Sequence, residues 1–131
     1  MTAPPLRKIV YVEDERDIQT IAKLALEKLG GFEVEICSSG EEALRKAPAL
    51  SPDLIMLDLM MPGMDGRATL KALRELPMFA DTPVIFLTGR VQAQESAQLE
   101  RLGAIRVLAK PFDPMSLADE VRDAWRQYHE R

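Results

Sequence analysis

Residues 54–66 read Leu54-Ile55-Met56-Leu57-Asp58-Leu59-Met60-Met61-Pro62-Gly63-Met64-Asp65-Gly66. Four consecutive apolar residues, then an acid, then a Pro/Gly turn describe a short strand that displays a carboxylate at its C-terminal end. Three other runs have the same form. Ile9-Val10-Tyr11-Val12 ends in Glu13-Asp14, Val84-Ile85-Phe86-Leu87 ends in Thr88, and Val107-Leu108-Ala109 ends in Lys110. Ligands of open α/β sheets bind outside the carboxyl ends of the strands. Acids, a hydroxyl and an ammonium at four such ends describe a site suited to a divalent metal and a phosphoryl group.

Helical periodicity fills the gaps between these runs. After a strand at 8–12, a helix is expected from about Glu15 to Leu29, with Ile18, Ile21, Ala22, Ala25 and Leu29 on one face. Gly30-Gly31 supplies a left-handed stop. Phe32, Val34 and Ile36 alternate with Glu33 and Glu35 as a half-exposed strand near a sheet edge. Ser39-Gly40-Glu41-Glu42 is a capping box that opens a short second helix. A strand at 53–57 and a helix from about Gly66 to Leu76, ended by Pro77, come next. Then follow a strand at 84–87, a helix over about 91–102 capped by Gly103, and a strand at 105–109. Pro114 is expected to start the last helix, whose apolar stripe is Leu117, Val121, Ala124 and Tyr128. This is a (βα)5 pattern, so the expected fold is flavodoxin-like α/β. Its five-stranded parallel sheet has order 2-1-3-4-5 and carries helices on both faces. That order puts strands 1 and 3 side by side and brings Glu13, Asp14, Asp58, Thr88 and Lys110 to one rim.

The chain has 131 residues, enough for one core, and divides into a flexible tail at 1–6, one domain at 7–128 and an end at 129–131. With 17 basic and 21 acidic residues interspersed and a net charge of −4, no nucleic-acid footprint is expected. No apolar run reaches the length of a membrane span, and the N-terminal residues lack a signal-peptide layout, so the expected location is cytoplasmic. Cys37 is the only cysteine and His129 the only histidine, which removes internal disulfides, His-based zinc sites, Cys-His nucleophiles and Ser-His-Asp triads. Cys37 reads as a packed thiol, His129 as a solvated terminal side chain, and Trp125 as a packing residue beside the stripe.

Clustered carboxylates repel unless a cation neutralises them, and Mg²⁺ prefers oxygen ligands and often joins carboxylates to a phosphate. Asp58 is therefore both a metal ligand and a candidate nucleophile, since carboxylates form aspartyl phosphates. Lys110 can pair with one phosphoryl oxygen, the Thr88 hydroxyl can donate to another, and Gly89 leaves backbone room beside it.

Val12-Glu13-Asp14-Glu15, Leu57 to Gly66, Leu87-Thr88-Gly89 and Ala109-Lys110-Pro111-Phe112, in this order and spacing, resemble a response-regulator receiver domain of the stand-alone chemotaxis-regulator type over residues 6–128. The resemblance implies phosphorylation of Asp58 by a phosphohistidine on a sensor histidine kinase or phosphotransfer protein. It implies Mg²⁺ (or Mn²⁺) on Asp14, Asp58 and the Met60 carbonyl, with Glu13 acting through water, and a phosphoryl group gripped by Thr88 and Lys110. It also implies a cis bond before Pro111, and a monomer or weak dimer that is no enzyme beyond its own phosphorylation and dephosphorylation. Output would be altered binding of a downstream target by the face of the fourth helix, fifth strand and fifth helix. Two departures from the common pattern matter, one at Val107 and one at Met60 with Arg90. Val107 stands where the family often has an aromatic switch residue that moves with the threonine at position 88. Met60 and Arg90 border the expected path of attacking water and are expected to tune the phosphoryl lifetime.

Three other readings fit parts of the pattern. A phosphorylation-independent interaction module would keep the fold without using the site. A flavin carrier would need a Gly/Ser/Thr-rich phosphate loop where Glu13-Asp14-Glu15 stands. A paired-aspartate phosphatase would need an acid at position 60.

Overall fold

The computed structural model describes residues 3–90 and 92–130. Five parallel strands form one sheet in the order β2-β1-β3-β4-β5, as expected. They are β1 (Lys8–Val12), β2 (Glu33–Cys37), β3 (Leu54–Asp58), β4 (Val84–Thr88) and β5 (Ala104–Ala109). The helices are α1 (Arg16–Leu24), α2 (Gly40–Leu50), α3 (Gly66–Arg74), α4 (Ala93–Arg101) and α5 (Leu117–Glu130).

Strand alternation explains the two cores. Ile9, Tyr11, Leu54, Met56, Ile85, Leu87 and Leu108 face α1 and α5, packing on Ala22, Leu26, Val121 and Trp125. Val10, Val12, Ile55, Leu57, Val84 and Phe86 face the other way, onto Ala43, Leu70, Leu73 and Leu99. Both faces of β3 and β4 are covered, which is why their sequences are unbroken apolar runs. The same alternation governs the site. Glu13 continues the row of Ile9 and Tyr11, Asp58 that of Leu54 and Met56, and Lys110 that of Leu108. All three therefore leave the sheet on the α1/α5 side.

Several expected boundaries shift. α1 passes into a π-helical turn, Ala25–Leu29, and its buried residues are Ala22, Ala25 and Leu26. Leu29 is 48% exposed because the wider turn retards the helical phase after Ala25 and, over four residues, carries Leu29 off the apolar face. Ile21, 45% exposed, sits roughly 60° from the centre of the stripe at the ordinary 3.6 residues per turn. Of the two glycines that follow, only Gly31 takes the left-handed conformation, at φ 72°; Gly30 stays right-handed. In the capping box, Ser39 Oγ accepts from the Glu42 N–H, while the Glu42 carboxylate accepts from Ser38 N–H rather than from Ser39. α2 is not short: it has 11 residues and tolerates Pro48 near its end.

α3 stops at Arg74, and Pro77 opens a 3-10 turn, Pro77–Phe79, instead of merely ending the helix. Arg74 Nη1 donates to the carbonyls of Phe79 and Thr82, both at 2.7 Å, and fixes this turn. The fourth helix begins at Ala93; its expected start at 91 lies outside the described residues. β5 starts one residue early, at Ala104. Pro114 lies in the turn before α5, not in the helix, and Asp113 organises that turn by accepting from Met115 N–H through its carboxylate. Tyr128 is only half-buried, whereas Trp125 joins the core and donates from its indole to the Pro4 carbonyl at 2.7 Å. With Ala3 and Leu6 packed on the same cluster, part of the segment assigned to a flexible tail lies against α5.

Candidate functional site

Register builds the rim of the site. β1 pairs with β3 as Val12↔Leu57, so the next residues along, Glu13 and Asp58, leave the sheet as neighbours. β4 pairs with β5 as Thr88↔Ala109, and the Lys110 N–H bonds the Thr88 carbonyl at 2.8 Å, which brings Lys110 to the same end. Gly66 closes the loop after β3. Its N–H bonds the Leu59 carbonyl, and a Cβ there would stand 2.5 Å from the Asp58 carbonyl oxygen, so α3 can start this close only on glycine. Asp65 caps that helix by accepting from Ala68 N–H at 2.9 Å.

Lys110 Nζ lies 3.0 Å from Glu13 Oε1 and 3.1 Å from Asp58 Oδ2. One ammonium thus bridges two carboxylates that are both nearly inaccessible to solvent. Asp14 completes the acidic group: one oxygen each from Glu13, Asp14 and Asp58 lies within 4.8 Å of the others. Asp58 Oδ1 also accepts from the Met60 N–H at 3.3 Å. An all-oxygen set of three carboxylates fits a hard divalent cation such as Mg²⁺.

The electrostatics follow from the crowding. Burial, with the neighbouring Glu13 charge, pushes the Asp58 carboxyl up to about 6 against the pull of Lys110. Glu13 is also opposed by burial, but hydrogen bonds from the Glu15 N–H, Lys110 and Tyr11 outweigh it and hold the carboxyl below its usual range. Lys110 is raised: burial opposes its charge, but the bonds to Glu13 and Asp58 win. The result is a dense negative site with one positive group, poised for a cation and an anionic group to share.

Thr88 is buried, and its hydroxyl accepts from the Arg90 N–H at 3.3 Å. A Cβ at Gly89 would meet nothing within 4 Å, so the rim is open there. Met60 is 71% exposed and Arg90 is exposed, both on loops at this end of the sheet. Val107, half-buried, packs against the α3/α4-side core. The Lys110-Pro111 bond is cis, as the resemblance implied. Cys37 is buried, with its thiol pushed up to about 11 by burial, and His129 is exposed.

Two participants are missing from the sequence reading. Tyr11 donates its hydroxyl to Glu13 Oε1 at 3.0 Å. Gln19 Nε2 donates to the Glu13 backbone carbonyl at 2.6 Å and holds the start of this loop. The Tyr11 contact was findable in principle, since residues two apart on a strand share a face. Gln19 carries no such signal.

Residues 9–122 match the family described as the response regulator receiver domain. Among curated relatives, the transcriptional regulatory protein CpxR of Escherichia coli is 39% identical over 124 residues, 95% of this chain and 51% of its own length. The alkaline phosphatase synthesis transcriptional regulatory protein PhoP of Bacillus subtilis is 36% identical over 92% of this chain and 49% of its own. The chain thus spans about half the length of these relatives. Among solved structures, the chemotaxis protein CheY4 of Vibrio cholerae superimposes with a TM-score of 0.84 at 31% identity, covering 92% of this chain and 99% of that one. No helix among the described residues is long and apolar enough to cross a membrane. Four strand ends that converge as the alternation requires, and a match over most of the length, agree: this chain belongs to the response regulator receiver domain family.

Proposed function

We propose that this receiver domain accepts a phosphoryl group on Asp58 from a phosphohistidine of a sensor histidine kinase or phosphotransfer protein. The observation that carries the reading is Lys110 Nζ held between Glu13 and Asp58, beside Asp14. An Asp58 carboxylate oxygen attacks phosphorus, the P–N bond to the donor imidazole breaks, and the electron pair returns to the ring, which takes up a proton. Lys110 moves from carboxylate to phosphoryl oxygen, and the Thr88 hydroxyl exchanges its Arg90 contact for another. Asp14, Asp58 and the Met60 carbonyl would hold Mg²⁺ (or Mn²⁺), with Glu13 reaching it through water, and the ion supplies the charge that offsets the crowded oxygens.

Met60 and Arg90 flank the opening and set how readily water reaches the aspartyl phosphate. An apolar thioether excludes water, and a guanidinium can hold phosphate oxygens. Unchanged dephosphorylation in both Met60→Asn and Arg90→Ala would remove that role. Val107 offers no aromatic ring to rotate, so the shift of Thr88 must be passed on by repacking around β4 and β5. The changed face, α4-β5-α5, then alters affinity for a downstream target. A cytoplasmic location accords with this chemistry.

The test is a small phosphodonor, acetyl phosphate, with Mg²⁺ or with EDTA. Phosphate-affinity electrophoresis should show a retarded band only with Mg²⁺, absent in Asp58→Asn. A wild-type protein that stays unmodified would leave a phosphorylation-independent binding module.

A further inference from the structure

We infer that Tyr11 is a positioning residue for the acidic site, holding the Glu13 carboxylate in place while Lys110 changes partners. The inference rests on the phosphoacceptor reading above and deepens it. Tyr11 lies on β1 and Glu13 directly follows the strand's last residue, two positions on, a separation of roughly 6.6 Å in extended chain, so both side chains leave on the α1/α5 side. A phenol laid along the strand bridges that separation, and the Tyr11 hydroxyl meets Glu13 Oε1 at 3.0 Å. An aliphatic residue at position 11 would fill the core equally well but offer no donor. The ring itself is fully buried in the α1/α5-side core, beside its β3 partner Met56, so the hydroxyl cannot follow a moving partner.

Lys110 is different. It divides one ammonium between Glu13 Oε1 and Asp58 Oδ2. Phosphorylation exchanges the single carboxylate charge of Asp58 for about two on the phosphoryl oxygens, and this net gain of about one negative charge within reach of Lys110 draws it away from Glu13. Glu13 then retains two donors fixed to the framework: the Tyr11 hydroxyl on Oε1 and the Glu15 N–H at 3.1 Å on Oε2. With both oxygens anchored, the carboxylate keeps one orientation toward the space that Asp14 and Asp58 share. Without the phenol, Glu13 is tied to the framework through one oxygen only and turns with Lys110.

Calorimetric titration with Mg²⁺ tests this on the whole chain. Tyr11→Phe keeps the ring and its packing, so the variant should still melt cooperatively in EDTA, somewhat below wild type for the lost hydrogen bond, while Mg²⁺ affinity falls about tenfold, the low end for removing a group that orients a ligand. In a Glu13→Gln background the same change should have no further effect on Mg²⁺ affinity. Equal affinity in Tyr11→Phe and wild type overturns the inference, as does an undiminished loss in the Glu13→Gln background. A second measurement needs no variant: the buried Tyr11 hydroxyl proton, observed by NMR, should persist when Mg²⁺ and beryllofluoride bind. Its disappearance would show that Tyr11 releases Glu13. Wild-type protein that binds no Mg²⁺ would instead strike the metal site itself, and the positioning role with it.

Discussion

Replacing Asp58 by asparagine should make the metal-free protein more stable. In the folded chain burial and Glu13 raise this carboxyl from 3.8 to about 6, although Lys110 sits 3.1 Å away. An acid whose folded value exceeds its unfolded value contributes most to stability when protonated. That contribution is intact below the unfolded value, erodes as pH climbs from about 4 to 6, and is fully lost above. At pH 7.5 the loss is about 3 kcal/mol, from roughly two pH steps at 1.36 kcal/mol each. At pH 5 the folded carboxyl is mostly protonated, and the loss is about half as large. Asparagine carries no charge at either pH, keeps an oxygen for the Met60 N–H and leaves Lys110 its bond to Glu13. Urea unfolding in EDTA should therefore place Asp58→Asn up to about 3 kcal/mol above wild type at pH 7.5, with the gap narrowing by about half at pH 5. A variant no more stable than wild type at pH 7.5, or a gap independent of pH, would refute the electrostatic account of the site.

Mg²⁺ at saturating concentration should raise the melting temperature of the wild type through selective binding to the folded state, and should do little for Asp14→Asn; equal shifts would exclude Asp14 as a ligand. Gly66→Ala places a methyl group 2.5 Å from the Asp58 carbonyl oxygen, so a loss of about 2 kcal/mol or more in urea unfolding is expected; a neutral result would mean that the loop yields freely. Cys37, with its thiol near 11 and no exposed surface, should resist iodoacetamide at pH 8 in the native protein and react in urea; rapid native labelling would contradict its burial. Arg74→Met strips two carbonyls of their donor and should cost about 2 kcal/mol in the same unfolding assay, with no change in Mg²⁺ affinity.

The sheet was legible because each strand announces itself twice, as an apolar run and as the punctuation that follows it. Leu54–Asp58 is the clearest case: buried on both faces, it cannot be mistaken for an alternating edge strand. The acidic site was legible for a related reason. Chain reversal after each parallel strand forces the polar residues at the strand ends to one side, whatever their separation in sequence. What escaped depends on side-chain reach or on backbone phase. The π-turn at Ala25–Leu29 leaves no mark in a pattern that a regular helix satisfies equally well. Arg74 reads as one more basic residue in the last turn of a helix, and its carbonyl partners, Phe79 and Thr82, belong to a short turn and the loop after it. Tyr11 was hidden by its own hydrophobicity, which explains its place in the core without recourse to its hydroxyl.

Borohydride reduction of the phosphodonor-treated protein bears most directly on the role of Asp58, because it converts an aspartyl phosphate to homoserine at the modified position. Peptide mass spectrometry should find homoserine at residue 58, in Mg²⁺ and not in EDTA. Homoserine at another carboxylate, or none anywhere after treatment with a competent donor, would contradict the assignment of Asp58 as the phosphoryl acceptor.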